Sequence, residues 1–377
     1  MHLFLKISIL SAFIQCCSLI FLSCYTVPDS PDVSKIDANL CTHLLVIGRC
    51  NLDDRAKIIL PTVEVIEKYN RLKDENPNLK VLITLTPTTN QLMSRLVIDD
   101  SLIDEFVNTL TLYLVINKLD GFDIDWEFPV WSKDAAKTDK KGFAVLLQKL
   151  RESFDQQKKP LLLTLAVSGP YTITKKGYDI DALNKYVDYV QLMTYDFHDY
   201  KKLEPVVGFN APLRAASYEI GILGKMNSDY STRYWIKIGL NRTKLVFGIP
   251  TYGKGYKLLS KHMHFPYAPA VGPSSSYGDD VAYNQACNLT QTDGYRYIWN
   301  KAAASPYLLK DRQWLNIEDI KSVTLKTAYA KEMGLAGVMV FAMHADDHHG
   351  ICGQGTYPLI RAIKKQLLRR GPSEYFP

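Results

Sequence analysis

The chain has 377 residues, 47% hydrophobic and 22% charged, with a net charge of +6. Such a composition excludes a disordered or low-complexity chain and leaves apolar material for a large core. The densest basic stretch holds Arg361, Lys364, Lys365, Arg369 and Arg370, interleaved with Ile363, Leu367 and Leu368; it reads as the wet face of a last helix, and with no recognition motif beside it no nucleic-acid partner is expected.

Residues 1–17 begin with a short segment carrying His2 and Lys6, continue through an apolar run to Ile14, and end in Gln15, Cys16 and Cys17. That layout fits a secretory signal, which predicts a secreted protein. A second apolar run at 19–22 brings the total near membrane-spanning length, so a retained anchor is the alternative. The signal reading is preferred because residues 18–25 are needed as a first strand. Five cysteines follow the leader, Cys24, Cys41, Cys50, Cys287 and Cys352. The odd count leaves one unpaired or intermolecular. Sequons at Asn241 and Asn288 would carry glycans in a secreted chain.

From there, short runs of Val, Ile and Leu alternate with helical patterns. Strands are predicted at 18–25, 43–48, 80–85, 119–125, 160–167, 189–193, 244–249 and 337–341. Helices are predicted at 57–73, 101–117, 141–154 and 320–333. Near-continuous apolar runs suit strands covered on both faces, and eight of them in βα alternation predict an α/β fold, a closed parallel (β/α)8 TIM barrel. The stretch between the seventh and eighth strands is far longer than one helix and its loops require. Its part 256–318 is rich in Tyr, Gly, Ser and Pro, and predicts a small α+β insertion near the C-terminal face of the barrel. The whole domain is expected to span 18–371, with a tail at 372–377.

The fourth strand carries the chemistry. In Asp120-Gly121-Phe122-Asp123-Ile124-Asp125-Trp126-Glu127, side chains alternate faces, so Asp123, Asp125 and Glu127 share one and Phe122, Ile124 and Trp126 the other. The apolar set packs outward against helices. The acidic set points into the lumen and climbs toward the C-terminal rim, where barrel enzymes place their reactive groups. Three carboxylates on one strand repel each other and resist burial, so their presence costs stability and calls for a functional reason. A metal site built from them lacks supporting ligands elsewhere. His344, His348 and His349 beside Asp346 and Asp347 fall on the loop after the eighth strand, and no metal is expected there.

Residues 120–127 resemble, without a gap, the signature of glycoside hydrolase family 18, the chitinases and chitinase-like lectins. Gln191-Leu192-Met193-Thr194-Tyr195-Asp196, Phe247-Gly248-Ile249-Pro250-Thr251-Tyr252-Gly253, and Gly337-Val338-Met339-Val340-Phe341 with Asp346 and Asp347 are similar to the family's sixth-, seventh- and eighth-strand motifs. The resemblance implies that Glu127 is the catalytic acid and that the substrate's N-acetyl group is the nucleophile. Asp125 would orient that group, Asp123 would share a proton or hydrogen bond with Asp125, and Tyr195 would donate to the acetamido carbonyl. Asp196 would fix the sugar or Tyr195, Met193 would form a wall, and Phe341, Tyr25, Tyr252 and Lys254 would contact sugar. It also implies disulfides Cys24–Cys41 and Cys287–Cys352, no cofactor, a monomer, and chitin or N-acetylglucosamine oligosaccharides as ligands.

The chain departs from the family pattern where sugars bind. Phe341 stands where a Trp is usual, Gly48 where a Phe is usual, Thr84-Leu85-Thr86-Pro87-Thr88 where Ser-x-Gly-Gly-aromatic is usual, and Lys254 where an Arg is usual. Two readings follow: a hydrolase of short N-acetylglucosamine oligomers, or a chitinase-like lectin that binds them without turnover.

Overall fold

The computed structural model describes residues 21–369; the leader at 1–17, the start of the first predicted strand, Arg370 and the tail lie outside them. Eight parallel strands form the barrel: β1 (Phe21–Thr26), β2 (His43–Leu52), β3 (Lys80–Leu85), β4 (Gly121–Asp125), β5 (Leu162–Ser168), β6 (Tyr189–Met193), β7 (Leu245–Pro250) and β8 (Gly337–Phe341). They neighbour one another in chain order, and β1 pairs with both β2 and β8, which closes the sheet.

Alternation along the strands sorts side chains into two layers. Phe122 and Ile124 of β4, Leu163 and Leu165 of β5 and Val190 and Leu192 of β6 are fully buried against the surrounding helices. Burying each such side chain contributes about 1.5–3 kcal/mol. The opposite set fills the lumen, where Leu45, Leu82, Val246 and Met339 form an apolar plug below the polar groups. The polar layer therefore sits at the C-terminal end of the barrel.

The helices Asp100–Ile116, Asp139–Asp155 and Ile320–Glu332 lie within two residues of their predicted bounds. The first helix begins at Val63 rather than 57. Pro61 lacks an N–H and pushes its predecessor into extended backbone, and Ile58–Ile59 instead pairs antiparallel with Asn51 and Leu52 at the end of β2. Pro358–Leu368 is the last helix, with Ile363 buried and Arg361 and Lys365 on its outer side.

A six-stranded antiparallel sheet, Tyr252–Leu258 to Gln313–Asn316, is inserted between β7 and β8. It starts directly after β7, four residues before the expected 256, and packs Tyr256, Tyr307 and Trp314 against Phe209 of the loop that follows β6.

Disulfides join Cys24 to Cys41 and Cys287 to Cys352; closing loops of these lengths stabilises by about 3–4.5 kcal/mol each. Cys50 is a free thiol with 1% of its surface exposed, too enclosed to bridge two chains. The Asn241 side chain is exposed, whereas Asn288 donates its Nδ2 to the Ile351 carbonyl at 2.8 Å. Among the described residues no helix is long and apolar enough to cross a membrane.

Candidate active site

The end of β4 delivers the acidic face as the alternation requires. Asp123 is fully buried in the lumen. It accepts from the Tyr25 hydroxyl at 2.7 Å, the Thr164 hydroxyl at 2.5 Å and Gln191 Nε2 at 3.0 Å. Thr164 is its register partner on β5, and Gln191 is in turn held by the Ser23 hydroxyl at 2.6 Å. Burial raises the Asp123 pKa while these hydrogen bonds pull it back down.

Asp125 lies one step closer to the rim and lines a cavity of about 480 Å3. Its Oδ1 is buried without any hydrogen-bond partner. Asp123 thus spends its bonds on Tyr25, Thr164 and Gln191, and no hydrogen bond joins it to Asp125. Burial pushes the Asp125 pKa well up, and the charges of Glu127 and Asp123 add to the effect.

Glu127 follows Trp126, whose ring is locked outside the barrel against Phe143 and by a 2.8 Å bond from Nε1 to Asn90. That anchor turns Glu127 into the open cleft. Desolvation by the surrounding wall raises its pKa, and the negative charges of Asp196 and of the neighbouring Asp125 add to the effect. Burial thus makes the Asp125–Glu127 pair retain a proton above the usual carboxylate range, and Glu127 is the member that faces the open cleft, where a general acid must stand.

Tyr195, Met193 and Phe341 close the floor. The Tyr195 ring stacks on Phe341 at 5.9 Å between centroids, and Tyr25 meets Phe341 at 5.4 Å. Among the described residues the Tyr195 hydroxyl donates only to the Met339 sulfur, at a long 3.8 Å. Burial and the surrounding carboxylates hold its pKa well up, so it stays a donor. Asp196 leaves Tyr195 alone and accepts from the Tyr252 hydroxyl and from Lys254 Nζ, each at 2.8 Å. Lys254 also reaches Asp199 at 2.8 Å and Asp280 at 2.7 Å. A compact ammonium serves three separate carboxylates here, a task that the flat fork of an Arg fits less well. Tyr252 and Lys254 thus stand behind Asp196, outside the cavity wall.

The wall itself is one-sided. Phe128 and Trp131 from the loop after β4, Pro170, Thr172 and Ile173 after β5, and Phe197, Asp199, Lys201 and Met226 after β6 line it, with Tyr25 and Phe341 below. Among the described residues, none from the loops after β2 and β3 contributes. Gly48 in β2 holds φ +88°, and no atom lies within 4 Å of where its Cβ would stand. Trp131, Thr164 and Gln191 are site residues that the sequence motifs do not mark as such. The strand alternation that placed Asp123 could have flagged Thr164 and Gln191 at matching positions of β5 and β6; nothing local signals Trp131.

The Asp346 and Asp347 carboxylates are occupied by backbone amides. Asp346 accepts from Ile360 at 3.0 Å and Asp347 from Cys352 at 2.7 Å. They fasten the turn that precedes the last helix.

A family model described as glycosyl hydrolases family 18 matches residues 22–346. The chain is 34% identical over 365 residues to Chitotriosidase-1 of Mus musculus, covering 91% of this chain and 76% of that protein. It superposes on the Group IV chitinase of Ostrinia furnacalis with a TM-score of 0.85 at 30% identity, covering 93% of this chain and 100% of that one. Human YKL-39, described as a pseudo-chitinase with retained chitooligosaccharide binding properties, superposes with a TM-score of 0.84 at 29% identity, over 93% of this chain and 100% of that one.

Proposed function

The chain belongs to the glycosyl hydrolases of family 18, and from that premise we propose that it is a secreted hydrolase of β-1,4-linked N-acetylglucosamine oligomers, acting with retention of configuration. The observation that carries the reading is the Asp125 carboxylate, which lines the cleft with one oxygen buried and unpartnered between Glu127 and Asp123. An unmet acceptor at that depth is costly, and an acetamido N–H from a bound sugar satisfies it.

The steps follow from the groups present. Glu127 gives its proton to the glycosidic oxygen as the bond to the anomeric carbon breaks. The acetamido oxygen bonds to that carbon, while Asp125 accepts from the N–H and balances the positive charge of the oxazolinium. The Tyr195 hydroxyl donates to the acetamido oxygen. Water then adds to the anomeric carbon, returns a proton to Glu127, and opens the ring with net retention. Asp123, saturated by three donors, holds the floor beneath Asp125 and stays out of proton exchange.

A lectin is the second reading. It is favoured by the wall missing over β2 and β3, and the likeness to human YKL-39 supports it. Release of a fluorophore from chitobioside and chitotrioside, by wild type and by Glu127→Gln, tests the two. Turnover in the wild type alone supports the hydrolase. No turnover in either, with both binding chitin oligomers, supports the lectin. Secretion is tested by export of the chain from expressing cells and a glycosidase-sensitive gel shift that Asn241→Gln removes.

A further inference from the structure

Trp131 is a large aromatic on the rim that the reaction scheme does not use. Its side chain lines the cleft, yet 43% of its surface is exposed. Leaving an indole in water is unfavourable, and a wall of this kind would more cheaply end in a polar residue.

The loop that presents it is unusually well fastened. The Ser132 hydroxyl donates to the Glu127 carbonyl at 3.1 Å and accepts from the Phe128 amide at 2.9 Å. The buried Asp139 carboxylate accepts from the amides of Val130 at 3.2 Å and Ala136 at 2.9 Å. Asp134 holds the loop's far side to the start of the helix Asn90–Ile98 through the Asn90 amide at 2.8 Å. Pro129 packs so close to Gly177 that a Cβ there would stand 3.0 Å from its carbonyl oxygen. Val130 sits at φ +63°, a region that a β-branched residue occupies only at a cost. These bonds fix the backbone that carries Trp131. The Lys176 ammonium covers one ring face at 5.2 Å from the centroid, which leaves the other face for a ligand.

Position along the substrate follows from Glu127. The sugar whose acetamido group is held by Asp125 and Tyr195 lies over the floor of the barrel. The glycosidic oxygen lies against Glu127, so the departing sugars lie on the Glu127 side of the break. Trp131 is four residues beyond Glu127, in the loop that extends from it.

We infer that Trp131 is a stacking platform for a sugar of the leaving-group half of the oligomer, and that this protein holds its substrate mainly by that half. The inference rests on the hydrolase or lectin reading of the same cleft. It makes Trp131 a specificity-determining residue, one that grips sugar and leaves the chemistry at the broken bond to others.

The test compares chitotetraose with chitobiosyl fluoride, whose leaving group has no ring to stack. In Trp131→Ala, kcat/KM for chitotetraose falls by about tenfold, mainly through KM, as expected for one lost aromatic contact. Hydrolysis of the fluoride is unchanged, and Trp131→Phe recovers most of the loss. In the Glu127→Gln background the same substitution weakens chitotetraose binding by about tenfold, a readout that survives if the protein is a lectin. Equal loss on both substrates, or no loss of chitotetraose affinity, overturns the inference and leaves the functional reading standing. If Glu127→Gln binds no chitotetraose and the wild type cleaves neither substrate, the functional reading fails and takes this inference with it.

Discussion

The two halves of the barrel rim differ. Over β4, β5 and β6 the loops carry Trp131, Thr172, Asp199 and Met226 into a defined cleft wall. Over β2 and β3 the rim presents Gly48 with nothing near it and the Thr86-Pro87-Thr88 turn. Both halves stand on equally well-packed strands, since Val46, Val81 and Ile83 are as buried as Phe122 and Leu165. Barrel stability is thus separate from cleft equipment. The core does not depend on the rim, because the side chains that pack it lie along the strands below. In such a barrel an acid at the end of β4 marks where a bond can break, while the flanking loops decide which half of a substrate is gripped.

The comparison can be broken at its centre first. Replacing Glu127 by Gln removes the proton donor that both halves of a substrate straddle, and kcat should fall by about 10²–10⁴-fold, with chitotetraose affinity kept in a titration. Asp125→Asn keeps the shape but removes the charge facing the oxazolinium; a loss of about 10²–10³-fold in kcat is expected, as for other transition-state charge partners.

The equipped half also sets the pH profile. Glu127 must be protonated to act, so activity falls as pH rises through its raised pKa. Asp196 is the second cause of that rise; removing a nearby negative charge makes deprotonation easier. Asp196→Asn should therefore move the alkaline limb of kcat/KM to lower pH, and an unmoved limb would show that burial and the neighbouring Asp125 hold the proton without Asp196.

Smaller changes sharpen the contrast from the other side. Phe341→Trp enlarges the floor shared by Tyr25 and Tyr195, and should tighten binding of the donor sugar by up to about tenfold in a chitobiose titration. A gain there together with a loss in Trp131→Ala would measure the imbalance directly. Gly48→Ala should leave turnover alone and destabilise the fold by about 1 kcal/mol, read by thermal melting, because φ +88° suits glycine while the space around it is open. An unchanged melting temperature would mean that the β2 end relaxes freely, and that an aromatic could be restored there.

Much of this was legible in the chain. A two-residue alternation placed Asp123, Asp125 and Glu127 on one face, and the strands stand where apolar runs bounded by turn residues put them. Cys24–Cys41 and Cys287–Cys352 pair as the family resemblance implied. The first helix was read too early because its apolar pattern runs back through Ile58 and Ile59, and only pairing with the end of β2 decides that those residues are extended. The family resemblance implies a proton or hydrogen bond shared between Asp123 and Asp125; the register that sets Thr164 and Gln191 beside Asp123 supplies other donors.

The sequence by itself determined the barrel, its inserted sheet and the acidic strand, because these rest on local periodicity and on the order of elements, both of which are written along one chain. The tertiary structure decided the rest: which carboxylate is saturated and which is left open, that Lys254 serves three acids behind the cleft, and that Trp131 stands over it. Those features depend on side chains brought together from strands and loops far apart in sequence, and the distances that fix their hydrogen bonds and charges exist only once the barrel has closed.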